Sequence, residues 1–222
     1  MVYQSRGNIV LTVHHLRVSQ SERIVWLCEE LGLAYELKCY DRDPQTRAAP
    51  PEYKALHPLG AAPVITDGDM VLAETNAIID YIIARHGGGR LSVAPDAANY
   101  PDYLYWLHYV NGTLQPSGSL PMMLNRAGVP EDGPFMQAMV QRRKRAVQAV
   151  ENRLSRSPYL AGAEFTAADI VMGFSLTTVR YFSPLDLSAF PTILAYLVRI
   201  SARPAYRAAM QKGDPDMALL LS

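Results

Sequence analysis

Two hydroxyls stand at the entrance to the first amphipathic helix of this chain. Ser19 and Ser21 lie between the apolar run of residues 9–16 and a segment in which Ile24, Leu27, Cys28 and Leu31 recur at helical spacing. A serine there can cap the helix by accepting a backbone N–H. It can also donate its hydroxyl proton to an anion held at the positive end of the helix dipole. Both roles are open, with Ser21 as cap and Ser19 as donor. A second polar pair, Glu74 and Thr75, falls where a hairpin meets a helix N-terminus, and ordinary first-turn residues would also be placed there. Pro63 precedes a short apolar strand, a position open to proline.

Other reactive residue types carry less. His14, His15, His57, His86 and His108 show no metal-ligand spacing, so no metal is expected. His14 and His15 point to opposite faces of one strand and cannot both line one site. Arg142, Arg143, Lys144 and Arg145 fall in a helix whose apolar face is Met136, Val140, Val147, Val150 and Leu154. They read as a solvated face, with only the Arg143 stem near the apolar stripe. Cys28 sits in the body of the first helix, away from the serine pair.

The elements that position these residues follow from composition and periodicity. The chain has 222 residues, enough for one large or two modest domains that need no staples to hold a core. Its 21 basic and 21 acidic residues give a formal net charge of zero, so no field draws it to nucleic acid or to an anionic membrane. Hydrophobic residues make up 49% and charged ones 19%, an ordinary globular mix. The two cysteines cannot form a disulfide framework, which points to a reducing compartment. No apolar run reaches the roughly 18 residues of a membrane span, and residues 1–8 carry no apolar signal core. A soluble, cytoplasmic protein is expected.

Residues 9–16 read as a buried strand, followed by a helix that Gly32 stops and a second strand over 35–40. This βαβ opening implies a parallel pair. A loop with a short helical piece leads to two short strands, residues 64–66 and 70–73, joined through Asp67-Gly68. The helix from Thr75 places Ala77, Ile78, Tyr81 and Ile82 on one face and stops at Gly87. After a proline-bearing linker no clear strand remains. The expected architecture is a small α/β domain over 1–87 and an all-helical domain over 97–222. In the latter, Thr166 and Asp169 form a capping box flanked by the staple pair Phe165 and Ile170, ahead of an apolar central helix.

Four stretches in this order resemble the cytosolic glutathione transferase family. They are Ser19 to Arg23, His57 to Val64, Glu74 to Ile78, and Tyr159 to Gly162 with Phe165 to Ile170. They span nearly the whole chain and are most similar to the serine-type, theta-like bacterial and fungal group. The resemblance implies a thioredoxin-like glutathione-binding domain, a helical domain contributing a second-substrate pocket, and a homodimer active in detoxification. Glutathione would be the co-substrate and a small hydrophobic electrophile its partner, or a hydroperoxide if the enzyme is peroxidase-like. The alternative is a non-catalytic ligand carrier or interaction module on the same fold.

The resemblance also assigns roles. Ser19 would stabilise the glutathione thiolate. Pro63 would be a cis-proline that turns the Val64 backbone toward the cysteinyl peptide. Glu74 would take the γ-glutamyl ammonium, while the Thr75 hydroxyl and the helix N–H groups take its carboxylate. Tyr105, Tyr109 and Thr113 would line the pocket for the second substrate, between the domains, with Trp106 in the core. Departures from the family pattern fall at Ala61, where a lysine is usual, and at Ala48-Ala49, where plant relatives have a His-Lys pair. Arg47, or Arg42, would then meet the glycyl carboxylate. Arg17 and Val18 stand where many relatives carry Asn, and Thr75 replaces Ser with its hydroxyl kept. The position of Cys28 argues against the cysteine-type members.

Overall fold

The computed structural model describes residues 11–222, so Ile9 and Val10 of the expected first strand lie outside the described residues. The chain packs as two units. The first comprises the residues up to Arg90 together with Ala205–Met217, and the second comprises Leu91–Pro204 and Ala218–Ser222. The separation near residues 87–97 thus falls between Arg90 and Leu91. Residues 205–217 pack with the first unit, although they follow the helical residues in the chain.

That unit is built on a four-stranded sheet ordered β2-β1-β3-β4. Strand β1 (Thr12–Leu16) pairs in parallel with β2 (Glu36–Tyr40) and antiparallel with β3 (Val64–Asp67), which pairs antiparallel with β4 (Met70–Ala73). The central strand is buried from Val13 to Leu16, which explains why apolar residues dominate the run around its two histidines. The hairpin turn is one residue later than expected: Asp67 ends β3 and Gly68 takes the left-handed φ of +61°.

Helix α1 (Glu22–Leu31) crosses between the parallel strands and ends at Gly32 in the left-handed conformation, whose N–H reaches back to Glu29 O. Short helix α2 (Pro51–Lys54) starts on a proline, and α3 (Thr75–Arg85) follows β4. The buried face of α3 is Ile78, Ile79, Ile82 and Ile83, whereas Ala77 is exposed and Tyr81 half-buried, so the expected face is rotated. Four isoleucines outweigh one alanine and one tyrosine as burial targets. The returning helix α9 (Pro204–Gly213) meets α1 through an edge contact between Tyr206 and Trp26, with ring centroids 4.8 Å apart. Lys212 Nζ also lies 2.6 Å from Glu29 Oε1.

The second unit is helical, and no named strand occurs in it among the described residues. Helix α4 (Tyr100–Tyr109) runs through a π-helical turn at Val110–Leu114 into α5 (Gln115–Arg126). Then come α6 (Pro134–Leu154), α7 (Ala167–Leu176), a 3₁₀ turn at Thr178–Tyr181, and α8 (Pro191–Ser201). On α6 the expected apolar face holds at Met136, Val147, Val150 and Leu154, but Val140 is 45% exposed. Arg142, Lys144 and Arg145 are exposed and Arg143 is half-buried, donating to Ser183 O at 2.9 Å.

Helix α7 is buried on every side, and its start is tied down by one carboxylate. Asp169 accepts from the Thr166 N–H at 2.9 Å and the Thr166 hydroxyl at 3.2 Å on one oxygen. On the other it accepts from Leu160 N–H and the Tyr196 hydroxyl, each at 3.0 Å. Burial pushes the Asp169 carboxyl up and the four donors oppose it, leaving it raised to about 6. Replacing it by alanine orphans several buried donors, whereas Thr166→Ala removes the cap alone. Urea unfolding should show Asp169→Ala losing about 3 kcal/mol or more and Thr166→Ala about 1 kcal/mol. Equal losses would mean that the carboxylate does no more than the cap.

Candidate active site

The loop between β1 and α1 is held from two directions. Val18 sits at a φ of +52°, which is unfavourable for a β-branched residue. In that conformation its N–H donates to Asp214 Oδ1 at 2.8 Å, and its carbonyl receives Arg42 Nη2 at 3.3 Å. Arg42 also donates to Arg17 O and Arg47 O, both at 2.9 Å. From the other side the Arg17 guanidinium donates to Gly213 O and pairs with Asp41 at 2.9 Å. Ser19 follows directly and is 5% exposed.

Four side chains are linked through this loop. Ser19 Oγ lies 2.8 Å from Ser21 Oγ, and Ser21 Oγ lies 2.9 Å from His15 Nδ1. His15 Nε2 lies 3.0 Å from Asp214 Oδ2. His15 and Ser21 are fully buried and Asp214 nearly so. The expected capping role of Ser21 is not realised: its side chain makes no cap bond and turns back to β1, where Leu16 N–H donates to it at 3.1 Å. Ser19 instead accepts the Ser21 N–H at 3.2 Å and supplies its carbonyl to the Glu22 N–H at 3.1 Å. Ser19 therefore stands at the N-terminal end of α1 with its hydroxyl joined to a buried polar chain. His14 and His15 do face opposite ways, since His14 bonds the Tyr40 hydroxyl at 2.9 Å and Thr66 at 3.2 Å.

The sheet register gathers the remaining candidates. The Ala62–Pro63 bond is cis, as the motif led one to expect. Val64 pairs with His14 on one side and with Ala73 on the other, so Pro63 and Glu74 adjoin neighbouring strand ends. Gln20, next to Ser19, donates to Ala62 O at 2.7 Å and joins the two loops. Glu74 has a φ of +75° and an exposed carboxylate that makes no hydrogen bond or ion pair among the described residues. Thr75 is 2% exposed, opens α3, and its hydroxyl also lacks a partner among the described residues. A strained acid beside an open helix N-terminus is suited to a zwitterionic head group. Of the two arginines, Arg42 is spent on three carbonyls, while the Arg47 side chain is exposed and uncommitted among the described residues.

The predicted second-substrate residues diverge. Tyr105 is 55% exposed and its ring lies tilted against Tyr109 at 5.4 Å. Tyr109 is 9% exposed and its hydroxyl donates to Ala146 O at 3.0 Å, so its phenol is bound into the helical core. Thr113 is half-buried in the π turn. Trp106 is 5% exposed and belongs to the core. A cavity of about 570 Å³ opens elsewhere on the helical unit, among Gly118, Met122, Met136, Val140, Arg143 and Phe182, and a smaller one of about 110 Å³ adjoins it. None of the three predicted residues lines either cavity. Cys28 is buried and its thiol is pushed up to about 12 by desolvation, with Glu29 adding to the effect. It is not a nucleophile at neutral pH. No cluster of three metal-ligating side chains occurs among the described residues, and no helix there is long and apolar enough to cross a membrane.

Sequence reasoning missed His15, Asp214, Gln20 and the clamping role of Arg42. Among these only His15 gave any signal, as a polar residue inside an apolar strand.

A two-layer unit of this topology, a cis-proline before β3, a serine at the first helix and a helical second unit define a glutathione-transferase-like protein. Residues 9–84 match the family model for the glutathione S-transferase N-terminal domain, and residues 126–204 match that for the C-terminal domain. The chain is 29% identical to glutathione S-transferase 3 of Schizosaccharomyces pombe, over 96% of this chain and 92% of that one. It is also 29% identical to glutathione S-transferase 1 of Saccharomyces cerevisiae, over 91% and 95% respectively. A crystal structure of a glutathione S-transferase from Actinobacillus pleuropneumoniae superposes with a TM-score of 0.84 at 36% identity, covering 94% of this chain and 97% of that one. The chain belongs to the glutathione transferase family.

The approach of α9 to His15 makes its own prediction. A Cβ on Gly213 would stand 2.9 Å from His15 Nε2, inside contact distance of a ring with no room to move. Helix propensity alone would make Gly213→Ala neutral or stabilising. The clash should instead cost about 1–3 kcal/mol in urea unfolding, and an unchanged midpoint would show that the ring can yield.

Proposed function

We propose that this protein is a serine-type glutathione transferase that presents the glutathione sulfur as a thiolate to a small apolar electrophile. The observation that carries the reading is Ser19, a hydroxyl at the N-terminal end of α1 in the unit that also holds cis-Pro63 and the unpartnered Glu74 and Thr75. A free thiol with a pKa near 8.5 supplies only a few per cent of thiolate at neutral pH. A shift of two units requires about 2.7 kcal/mol, within reach of one hydroxyl donor and a helix terminus together.

Glutathione is held in this reading by its γ-glutamyl end on Glu74 and Thr75, by its cysteinyl peptide on the Val64 backbone beside Pro63, and by its glycyl carboxylate on Arg47. The lysine absent at Ala61 and the His-Lys pair absent at Ala48-Ala49 leave Arg47 as the cation for that carboxylate. Of the predicted second-substrate residues, Tyr105 has surface to offer. Tyr109 and Thr113 complete that pocket only if Tyr109 contributes its ring and not its hydroxyl. A hydroperoxide is the alternative acceptor. Homodimerisation and a cytoplasmic location belong to the same proposal, on the family resemblance.

Ser19→Ala should lower kcat about 10²-fold, by analogy with other single anion-stabilising donors, and should abolish thiolate absorbance near 240 nm while leaving glutathione bound. An unchanged rate would remove Ser19 from the chemistry, and binding without thiolate in the wild type would favour a ligand carrier. Glu74→Ala should raise the glutathione KM with little change in kcat.

The two arginines separate on different measurements. Arg47→Ala should raise KM and leave the melting temperature unchanged. Arg42→Ala should lower the melting temperature, because three carbonyls lose their donor. Matching effects of the two variants would show that the loop does not divide clamp from ligand contact in this way.

A further inference from the structure

Resting on the Ser19 reading above, we infer that His15, held by Asp214, is the internal acceptor of the glutathione thiol's proton, reached through Ser19 and Ser21. The case is an inventory of donors and lone pairs. A serine hydroxyl has one proton and two acceptor sites. Leu16 N–H occupies one site of Ser21 Oγ, and Ser21 N–H occupies one site of Ser19 Oγ. Each hydroxyl is left with one proton and one site, so a proton can pass along the chain in single file.

With neutral His15, Nε2–H donates to Asp214, Ser21 donates to Nδ1, and Ser19 donates to Ser21. The free site of Ser19 then faces outward, where it can accept a thiol S–H and cannot donate to sulfur. The opposite direction requires a proton on Nδ1: His15 donates to Ser21, Ser21 to Ser19, and Ser19 to the sulfur. Three transfers convert one state into the other. The S–H bond breaks and its electron pair stays on sulfur; its proton goes to Ser19, that of Ser19 to Ser21, and that of Ser21 to His15 Nδ1. The products are a thiolate accepting a hydrogen bond from Ser19 and an imidazolium paired with the Asp214 carboxylate. No proton enters solvent, and every donor in the chain has an acceptor in both states.

A protonated ring has a partner on its far side. Asp214 meets Nε2 at 3.0 Å with both side chains buried, so an imidazolium neutralises a buried carboxylate. Arg17, whose guanidinium lies on Gly213 O and on Asp41, and Arg42 near the loop carbonyls are the facing cations. Cys39, the register partner of His15 on β2, has its thiol pushed up by burial and remains neutral. The alternative Ser21 contact to Leu16 O is longer, at 3.3 Å, against 2.9 Å to His15.

The test is proton counting. Glutathione and S-methylglutathione, which has no thiol proton, are titrated calorimetrically at pH 7 in buffers of differing ionisation enthalpy, with thiolate absorbance followed in parallel. Wild type should form thiolate with no difference in protons released between the two ligands. Thiolate accompanied by one extra proton released would overturn the relay and leave the Ser19 reading intact, whereas binding without thiolate would overturn both. Ser21→Ala breaks the chain without touching the His15–Asp214 pair. It should lower the thiolate-to-thiol ratio at pH 7 about tenfold, a one-unit rise in the bound thiol's pKa, and release one proton for each thiolate formed. A Ser21→Ala protein with wild-type thiolate and no proton release would sink the proposal even if His15 variants fail to fold.

Discussion

A buried carboxylate must find donors, and the active-site loop is arranged around one that arrives from the far end of the chain. Asp214 follows α9, and its two oxygens take the Val18 N–H and His15 Nε2, residues separated from it by 196 and 199 positions. Left unpaired at this depth the charge would cost several kcal/mol. The left-handed conformation of Val18 costs about 1–2 kcal/mol, less than the donor it provides. Arg42 secures the other side of the same peptide. Ser19 inherits its position from these two clamps, which explains how a short loop can hold a hydroxyl at a helix terminus without a cap bond of the usual kind.

The helical unit solves the same problem twice, with a different outcome. Glu151 takes the Thr192 N–H and hydroxyl and the Ile193 N–H, at the start of α8. Asp169 takes four donors at the start of α7. In both cases the partners are backbone amides and hydroxyls, groups that hold their protons at neutral pH, and the result is a fixed helix end. Asp214 differs in one partner, an imidazole with a second nitrogen that faces a hydroxyl chain. The same electrostatic requirement produces framework where the partners cannot titrate and a proton path where one can.

Sequence made legible what local chemistry or a contiguous motif carries. Gly32 ended its helix because only a left-handed residue fits there, and Thr166 with Asp169 announced α7 through a three-residue spacing. Ser19, Pro63, Glu74 and Thr75 each lie in a short stretch whose residue types match the family pattern in order. What stayed hidden depends on separation in the chain. No periodicity connects Asp214 to His15, so nothing in the sequence brings α9 back to the first strand. Val140 departs from its expected face for another reason: helical spacing places a residue on a stripe, but the depth of that stripe is decided by neighbouring helices.

The candidate binding residues are distinguished by what they leave undone. Arg42, Gln20 and Tyr109 have their polar groups engaged by backbone carbonyls, so their work is internal. Glu74 holds an exposed carboxylate in a strained backbone conformation without a partner among the described residues, and Thr75 keeps a nearly buried hydroxyl in the same condition. Native structures satisfy such groups where they can, and strain persists where something outside the chain completes the arrangement. In the proposed reading these uncommitted groups, an acid, a hydroxyl and a helix N-terminus, take the zwitterionic end of the ligand, and the exposed Arg47 guanidinium is the cation for its second carboxylate.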